Sequence, residues 1–247
     1  MIKAEIQKIK KDKFFIASLI IYYFFSTIRA KGIVYMIARG YYGKPSISII
    51  AAKYFGTMWN FMGLIQLIAI ILGIKILHEI TESRLYTYIF MENTRLKFYI
   101  KKSISLFWIT TLYSIYNLII LTYYYMIVIG KPDTKGMSLT IVAYLNYEIA
   151  ILFTALLGMM IYTIVKNNLF SIIISLFVIY SYFLLPVQNK IYHPLNFVYI
   201  MTRKLISSKG IEFIMYISLW KIIIPLLMVT TIFMIGYLFF RKYEPKY

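Results

Sequence analysis

The sequence predicts an all-α integral membrane protein with six transmembrane helices, an N-terminal interfacial helix, a cytoplasmic helix between spans 2 and 3, and a long outer loop between spans 5 and 6. Two observations lead to this fold class. Of the 247 residues, 61% are hydrophobic and only 15% are charged, whereas a soluble domain of this size needs far more charged surface. The apolar residues also form runs of about 20, the length of helix that crosses a hydrocarbon core of about 30 Å. A water-soluble enzyme is therefore excluded.

The six predicted spans form one membrane domain, residues 1–247. The first run is apolar only from residue 14 to residue 28, which is short at about 1.5 Å per residue. We therefore expect its helix to continue past Arg29 and Lys31 towards Ile37, with the two basic side chains snorkelling to the membrane surface. Residues 166–168 alone separate the fourth and fifth runs, which predicts a tight helical hairpin. The predicted spans are residues 14–37, 54–77, 103–129, 138–165, 169–185 and 220–240.

Positive charge before the first span sets the predicted orientation. The chain carries 27 Lys and Arg against 9 acids, and most of the basic residues lie at the edges of apolar runs, where they meet lipid headgroups rather than nucleic acid. Positive charge directly before a span resists translocation, and an even number of spans puts both termini on one side. We therefore expect both termini in the cytoplasm and the lipid bilayer, not nucleic acid, as a partner. The lysines before the first span are Lys3, Lys8, Lys10, Lys11 and Lys13.

Residues 1–13 have a helical pattern of their own. Ile2, Ile6 and Ile9 recur at three- and four-residue spacing, with lysines on the other faces. This pattern predicts a short amphipathic helix in the inner membrane interface. A disordered basic tail is the alternative.

No residue pattern indicates an enzyme, a metal site or a nucleotide site. The sequence has no cysteine and two histidines, and His78 and His193 are far apart in connections between spans, so a histidine-based metal site would lack ligands. No phosphate-binding loop of the form G-x-x-x-x-G-K-[ST] occurs. Glu148 is the one acid expected well inside a span, without the second acid or histidine that an intramembrane enzyme would need. We expect no catalytic residue and no cofactor in this chain.

The inner connection, residues 78–102, mixes charges of both signs with apolar residues at helical spacing. Leu85, Ile89, Leu96 and Ile100 mark the apolar positions. Such a segment predicts an amphipathic cytoplasmic helix that docks in a groove of a partner. A helix that lies passively on the membrane surface is the alternative.

This inner connection resembles the same region in the permeases of ABC type 2 exporters. In that family two acidic residues follow the second span, and a leucine-rich helix, a polar-Arg pair and a lysine lead into the third. Residues 85–90 correspond to the helix and Thr94-Arg95 to the polar-Arg pair. The acidic positions are matched by Glu79 and Glu82, and the final lysine by Lys101 or Lys102.

Two positions depart from the family pattern. Ser83-Arg84 stands where the family has Gly-Thr, and Glu92 or Asn93 stands where it has a proline. The rest of the chain is similar to the family in its N-terminal interfacial helix, its six spans, its tight hairpin between spans 4 and 5, and its long outer loop before the last span. The resemblance therefore extends over the whole chain.

The resemblance implies a permease subunit that dimerises, with itself or with a homologous permease, and binds a separate ABC ATPase through the inner connection. ATP and Mg²⁺ would be bound by that partner ATPase, since this chain has no phosphate-binding loop. A rigid helix in the connection would transmit the motion of the ATPase to the spans. The implied ATPase-coupling residues are Glu79, Glu82, Leu85, Glu92, Arg95 and Lys101.

The predicted function is export of a hydrophobic or amphipathic cargo from a bacterial cell. Short loops and the lack of a large outer domain suit a cargo already dissolved in the bilayer, such as an antimicrobial peptide, a drug or a lipid-like compound. A composition rich in Lys, Ile and Tyr is typical of a low-GC bacterium, which predicts the plasma membrane as the location. The alternative is an ATP-independent channel or secondary transporter, which broken helices or inverted repeats would support.

Polar residues inside the predicted spans are candidates for a cavity or gate, because burying them in lipid is unfavourable. The structural explanation for each Asn or Gln is a hydrogen bond between helices. A polar lining for a transport path is the functional alternative. The candidates are Asn60, Gln66, Asn117, Asn146, Glu148 and Lys221.

Glu148 has no cation at neighbouring positions of its own helix, so a partner on another span is expected. Lys221, predicted at a similar depth near the outer third of the membrane, is the favoured partner, with Lys53 as the alternative. The other interpretations are a contact that holds the outer gate shut, a contact with a cationic cargo, and a neutral hydrogen-bonded acid.

The outer loop, residues 186–218, is too apolar for a free loop. Its core, residues 194–206, predicts either a short helix that re-enters the membrane or a helix that lies on the outer surface. By resemblance to the family, this region forms the external gate.

Overall fold

The computed structural model describes residues 12–40, 45–60, 64–81, 95–184 and 219–242. Within these ranges the regular secondary structure is entirely α-helical, in seven helices. The interfacial helix expected in residues 1–13 and the outer loop, residues 186–218, lie outside the described residues, apart from Asp12 and Lys13. The helices are α1 (Lys13–Gly40), α2 (Ile47–Asn60), α3 (Leu64–Thr81), α4 (Arg95–Val128), α5 (Thr134–Val165), α6 (Asn168–Leu184) and α7 (Leu219–Arg241).

Within the described ranges, four helices are long and apolar enough to cross a membrane: α1, α4, α5 and α7. The chain is therefore membrane-embedded, as the composition predicts. Helix α1 continues through Arg29 and Lys31 to Gly40, which confirms the expected extension of the first span. The described parts of α2, α3 and α6 are shorter apolar helices.

The second predicted span, residues 54–77, is wrong as a single helix, because two consecutive helices occupy this part of the chain. Helix α2 begins beside the first turn of α5, where a Cβ added to Gly136 would lie 3.0 Å from Ile47. Helix α3 ends beside the last turn of α5, where His78 Nδ1 lies 2.9 Å from the Tyr162 hydroxyl. Both helices therefore run in the direction of α5, one after the other. The intervening sequence contains a glycine, which disfavours an uninterrupted helix.

Helix α5 forms the centre of the bundle. Of the 18 most apolar consecutive residues of α5, 72% are buried, compared with 17% of the corresponding residues of α7. It packs against α2, α3, α4, α6 and α7. An apolar helix that is buried on most sides is expected at the core rather than at the lipid boundary, so the polar residues of α5 are the ones best placed to form an internal site.

The boundaries of α5 follow from local capping. The Asp133 side chain accepts a hydrogen bond from the Gly136 N–H at 2.8 Å, which satisfies one of the free donors of the first turn. At the other end Lys166 adopts a left-handed conformation with φ of 56°, and the Asn167 side chain accepts from the Phe170 N–H at 3.2 Å to cap α6. The tight hairpin between the fourth and fifth predicted spans is confirmed.

Helix α4 begins about two turns before the predicted third span. It starts at Arg95 rather than Ser103, so the last part of the predicted inner connection belongs to this helix. The reason is burial: Phe98 and Tyr99 are buried, and they pack on the C-terminal turns of α7, where the Phe98 and Phe240 rings stack at 5.9 Å. His78, expected in the same connection, is part of α3.

Candidate functional site

Buried and half-buried polar side chains from α1, α2, α4 and α5 meet inside the bundle, and we refer to them as the polar cluster. The members on α1 recur every four residues, and those on α4 lie between residues 110 and 117, so each of these helices presents one polar face to the centre. Their hydroxyl, amide and carboxylate groups are hydrogen-bonded across helices. The cluster consists of Ser18, Tyr22, Ser26, Tyr54, Thr110, Thr111, Tyr113, Ser114, Asn117, Tyr144, Tyr147 and Glu148.

Glu148 is the charged member of the polar cluster. Its side chain is 5% exposed, and it lies near the middle of α5. Thr110 and Thr111 each donate a hydrogen bond to its Oε1 atom at 3.1 Å, and Ser114 donates to Oε2. All three hydroxyls come from one stretch of α4, so α4 supplies all the described hydrogen bonds to this carboxyl group.

Asn117 links three helices in the second part of the cluster. Its Oδ1 atom accepts from the Tyr54 hydroxyl at 2.7 Å, and its Nδ2 group donates to the Tyr22 hydroxyl. Tyr22 in turn pairs with the Tyr147 hydroxyl at 2.7 Å. Asn117 is fully buried, and so are Tyr22, Tyr54 and Tyr147 to within 1%. A fully connected buried network of this kind fixes the relative positions of α1, α2, α4 and α5.

Further contacts between α1 and α4 hold the cluster in register. The Ser18 and Tyr113 hydroxyls lie 2.7 Å apart. Nearer the surface of the bundle, the Tyr23 and Tyr116 rings stack with centroids 3.9 Å apart. The Tyr23 hydroxyl also donates to the Leu112 carbonyl oxygen at 2.7 Å. The two helices therefore run parallel, with matched polar and aromatic rows.

The structure brings two of the six predicted cavity or gate residues together. Asn117 and Glu148 both belong to the polar cluster. Gln66 and Asn146 are buried elsewhere, and the Asn146 amide donates to the Val142 carbonyl of its own helix at 3.0 Å. Asn60 and Lys221 lie on α2 and α7, and their side chains lie outside the described residues.

The structure describes part of the predicted environment of Glu148. Hydroxyl groups of α4 are the described partners of its carboxyl group, and Lys53 forms no ion pair with it among the described side chains. Lys221, the favoured partner, has its side chain outside the described residues, so that pairing stays a prediction.

Sequence reasoning missed the hydroxyl members of the cluster. The signal was present in their spacing: Ser18, Tyr22 and Ser26 recur every four residues on α1. On α4, Thr110, Ser114 and Asn117 follow the same helical face. Such a polar stripe along an otherwise apolar span indicates a face directed at other helices.

The predicted ATPase-coupling residues fall partly within the described structure. Arg95 is the first residue of α4, and its guanidinium group donates to the Arg241 carbonyl oxygen at the end of α7. Lys101 lies half-buried two turns further on. A cation at the C-terminal end of a helix is favourable because free carbonyl groups gather there. Glu82, Leu85 and Glu92 lie outside the described residues, as does the side chain of Glu79.

An ion pair joins α1 and α3 at this same end of the bundle. Asp12 caps α1 by accepting from the Phe14 N–H at 2.9 Å, and it forms an ion pair with Lys75 of α3. Partial burial raises the pKa of the Asp12 carboxyl group, but the hydrogen bond and charge of Lys75 and the backbone N–H groups of Phe14 and Phe15 outweigh it. The pKa of Asp12 therefore lies below its ordinary value.

The chemistry of the cluster is acid–base and hydrogen-bonding in character. Within the part of the chain that the structure describes, no three His, Cys, Asp or Glu side chains come close enough to hold a metal ion. A lone carboxyl group among hydroxyls and an amide can accept a proton or orient a polar group. Searches against protein-family models and against curated proteins return no match for this chain.

Proposed function

We propose that this chain is the membrane-spanning permease subunit of an ATP-driven ABC exporter in a bacterial plasma membrane. In this proposal the chain crosses the membrane six times, with both termini in the cytoplasm, and α2 and α3 together form the second crossing. Two permeases, identical or homologous, associate with separate ATPase subunits that bind ATP and Mg²⁺. The cargo is a hydrophobic or amphipathic molecule such as a peptide, a drug or a lipid-like compound.

The observation that carries the proposal is the continuity of α4. This helix begins at Arg95, inside the segment that resembles the ATPase-coupling region, and reaches Thr110 of the polar cluster without interruption. At 1.5 Å per residue the two positions are about 22 Å apart. A displacement imposed on the start of α4 would therefore be transmitted along a stiff element to the buried polar groups.

The contact between α4 and α7 supports the same mechanism. Arg95 donates to the end of α7, and Tyr99 packs between Phe233 and Phe240 at ring distances of 5.2 and 5.4 Å. A force on the start of α4 would thus act on two spans together. This arrangement suits a subunit that is driven by a separate motor protein at that end.

The proposal is tested by isolating the chain in detergent, alone and together with a candidate ABC ATPase subunit from the same bacterium. The pair should co-purify and hydrolyse ATP at a rate that changes with cargo, whereas the chain alone should neither bind nor hydrolyse ATP. Nucleotide binding by the isolated chain, or failure of the two proteins to associate, would contradict the proposal.

Arg95→Glu probes the proposed coupling end directly. The substitution places a negative charge where the resemblance implies contact with the ATPase, and we expect association or coupled hydrolysis to fall about tenfold or more, while membrane insertion is kept. Arg39→Glu is the matched control, since Arg39 is exposed in the last turn of α1, at the opposite end of the bundle, and should leave both unchanged.

Because Arg95 also contacts α7, thermal unfolding of the variant without the ATPase is measured in parallel. A loss of association with little change in melting temperature supports coupling. Normal association and transport in the Arg95→Glu protein would show that this end of α4 serves structure alone.

An ATP-independent secondary transporter is the second candidate, and one observation favours it. The second predicted span is divided into α2 and α3, which both pack against α5, the helix that carries Glu148. Discontinuous helices and buried carboxyl groups are typical of secondary transporters. Transport by vesicles that contain this chain alone, driven by an ion gradient, would favour this candidate over the exporter.

A further inference from the structure

The hydroxyl groups around Glu148 each have a second hydrogen-bond acceptor within reach. Thr110 and Thr111 can donate to the Phe107 carbonyl oxygen, at 2.9 Å in both cases. Ser114 can donate to the Thr111 carbonyl oxygen at 3.2 Å. Since a hydroxyl group has one proton and rotates freely, each of these side chains can either donate to the carboxylate or turn away from it.

This choice lets the site satisfy two charge states of Glu148. When the carboxyl group is ionised, all three hydroxyls donate to it. When it is protonated, its own O–H can donate to the Ser114 hydroxyl, while Ser114 turns its proton to the Thr111 carbonyl and one threonine turns to Phe107. Neither state leaves a buried polar group without a partner, which would be unfavourable in an apolar interior.

A fixed cation would have removed this freedom by holding the carboxyl group in its ionised form. Among the described side chains, the titratable groups that interact with Glu148 are phenols: Tyr22 on α1, and Tyr144 and Tyr147 on α5 itself. Its partners on α4 are neutral hydroxyls. Nothing among these groups carries a fixed positive charge.

We propose that Glu148 and the hydroxyls of Thr110, Thr111 and Ser114 form a proton-binding site, in which the carboxyl group takes up and releases one proton while the protein remains folded. The carboxyl group is 5% exposed and its oxygens are already in hydrogen-bond contact with hydroxyls, so a proton is the ligand that enters without displacing them. The bond that forms is O–H on a carboxylate oxygen, and the proton comes from water.

A short route connects the site with the periphery of the bundle. The Ser114 hydroxyl lies 3.3 Å from the Tyr144 hydroxyl, and Tyr144 is half-buried. Both groups can accept and donate, so a proton can pass from Tyr144 through Ser114 to Glu148 without a charged side chain leaving the interior. Loss of the proton strengthens the contact between α4 and α5, because the ionised form takes hydrogen bonds from all three α4 hydroxyls.

The test is infrared difference spectroscopy of the full chain in phosphatidylcholine vesicles over a range of pH, with Glu148→Gln subtracted from the native protein. We expect a carboxylic-acid C=O band assigned to Glu148 that weakens as pH rises, with a matching gain of carboxylate absorption. Glu148→Asp keeps the acid and should move the band, which provides the assignment if Glu148→Gln does not accumulate. The experiment needs no ATPase, so its outcome is separate from that of the proposed function.

Ser114→Ala and Thr111→Val test the role of the hydroxyls. Thr111→Val removes a donor to the ionised form alone, so the protonated share at a given pH should increase severalfold. Ser114→Ala removes both a donor to the ionised form and the acceptor for the protonated form, so its effect on the protonated share should be smaller. The matched controls are Ser105→Ala and Thr122→Val, whose hydroxyls bond only to carbonyls of the same helix and whose spectra should match the native protein. A band that is absent or constant at every pH, a transition that follows sodium concentration at fixed pH, or hydroxyl variants identical to the controls would overturn the proposal.

Discussion

Helix α5 contacts α3 and α4 in two different ways. Against α3 the contact is between backbones: a Cβ added to Gly158 would lie 2.8 Å from the Ile70 carbonyl oxygen, and one added to Gly73 would collide with the Ala155 carbonyl oxygen. Against α4 the contact is a set of rotatable side chains around Glu148. The same helix thus combines a close small-residue crossing with a polar interface.

The difference indicates which interface can change during a working cycle. Two helices whose backbones touch have one tightly packed arrangement, and sliding them would separate or overlap atoms. Hydroxyl groups can exchange one acceptor for another with little change of position. We therefore expect α3 and α5 to move as one unit and any rearrangement to occur between α5 and α4.

The largest expected effect comes from filling the crossing between α3 and α5. Gly73→Ala places a methyl group against the backbone of Ala155, so we expect destabilisation of about 1–3 kcal/mol or more, as for overpacked cores. Gly32→Ala is the matched control, since nothing lies within 4 Å of its Cβ position. Thermal unfolding of both variants in detergent measures the effect; equal melting temperatures would show that the two backbones do not touch.

An intermediate effect is expected in the polar cluster. Asn117→Leu keeps the approximate size of the side chain but removes the acceptor for Tyr54 and the donor to Tyr22, and each loss between membrane helices is worth about 0.6–2 kcal/mol. Asn146→Leu is the matched control, because the Asn146 amide bonds only to its own helix. If the Asn117 variant were as stable as the control, the hydrogen bonds that Asn117 makes to Tyr22 and Tyr54 would not stabilise the packing of α4.

How far the sequence predicts the fold depends on where hydropathy changes. Long apolar runs predict α1, α4, α5 and α7, and the run of three polar residues at 166–168 predicts the hairpin. The division between α2 and α3 leaves no trace in hydropathy, since the residues between Asn60 and Leu64 are as apolar as their neighbours. The early start of α4 was missed because its first turns are charged, and only their packing on α7 explains the helix.

The candidate site was predictable in part for a related reason. Asn117 and Glu148 attract attention because amides and carboxyl groups are rare in spans. Serine, threonine and tyrosine are common there and often bond to their own backbone or lie at the interface, so their residue type does not reveal which ones meet a carboxyl group. The expected lysine partner, Lys221, stays a prediction, since its side chain lies outside the described residues, whereas the three hydroxyls that α4 supplies to Glu148 were not expected from the sequence.

The smallest expected effect concerns the ion pair between Asp12 and Lys75, which joins α1 to α3 at one end of the bundle. Asp12→Asn keeps a good helix cap but removes the charge opposite Lys75, and a partly exposed pair of this kind contributes up to about 1 kcal/mol. Because the pKa of Asp12 is lowered in the folded protein, the native chain binds fewer protons there than the unfolded chain does. The contribution is therefore complete above the ordinary carboxyl pKa of about 3.9 and is lost as pH falls through the lower folded-state pKa.

Melting temperatures of the native and Asp12→Asn proteins should consequently differ by a few degrees at most near neutral pH and converge in acid, as pH falls below the lowered folded-state pKa of Asp12. Lys75→Gln should produce the same neutral-pH loss, and the double variant should lose no more than either single one, because all three lack the same pair. Additive losses, or a difference that persists in acid, would assign the stability to the cap of α1 rather than to its link with α3. In that case we would expect α1, which shares the polar cluster with α4, to move together with α4 relative to α3 and α5.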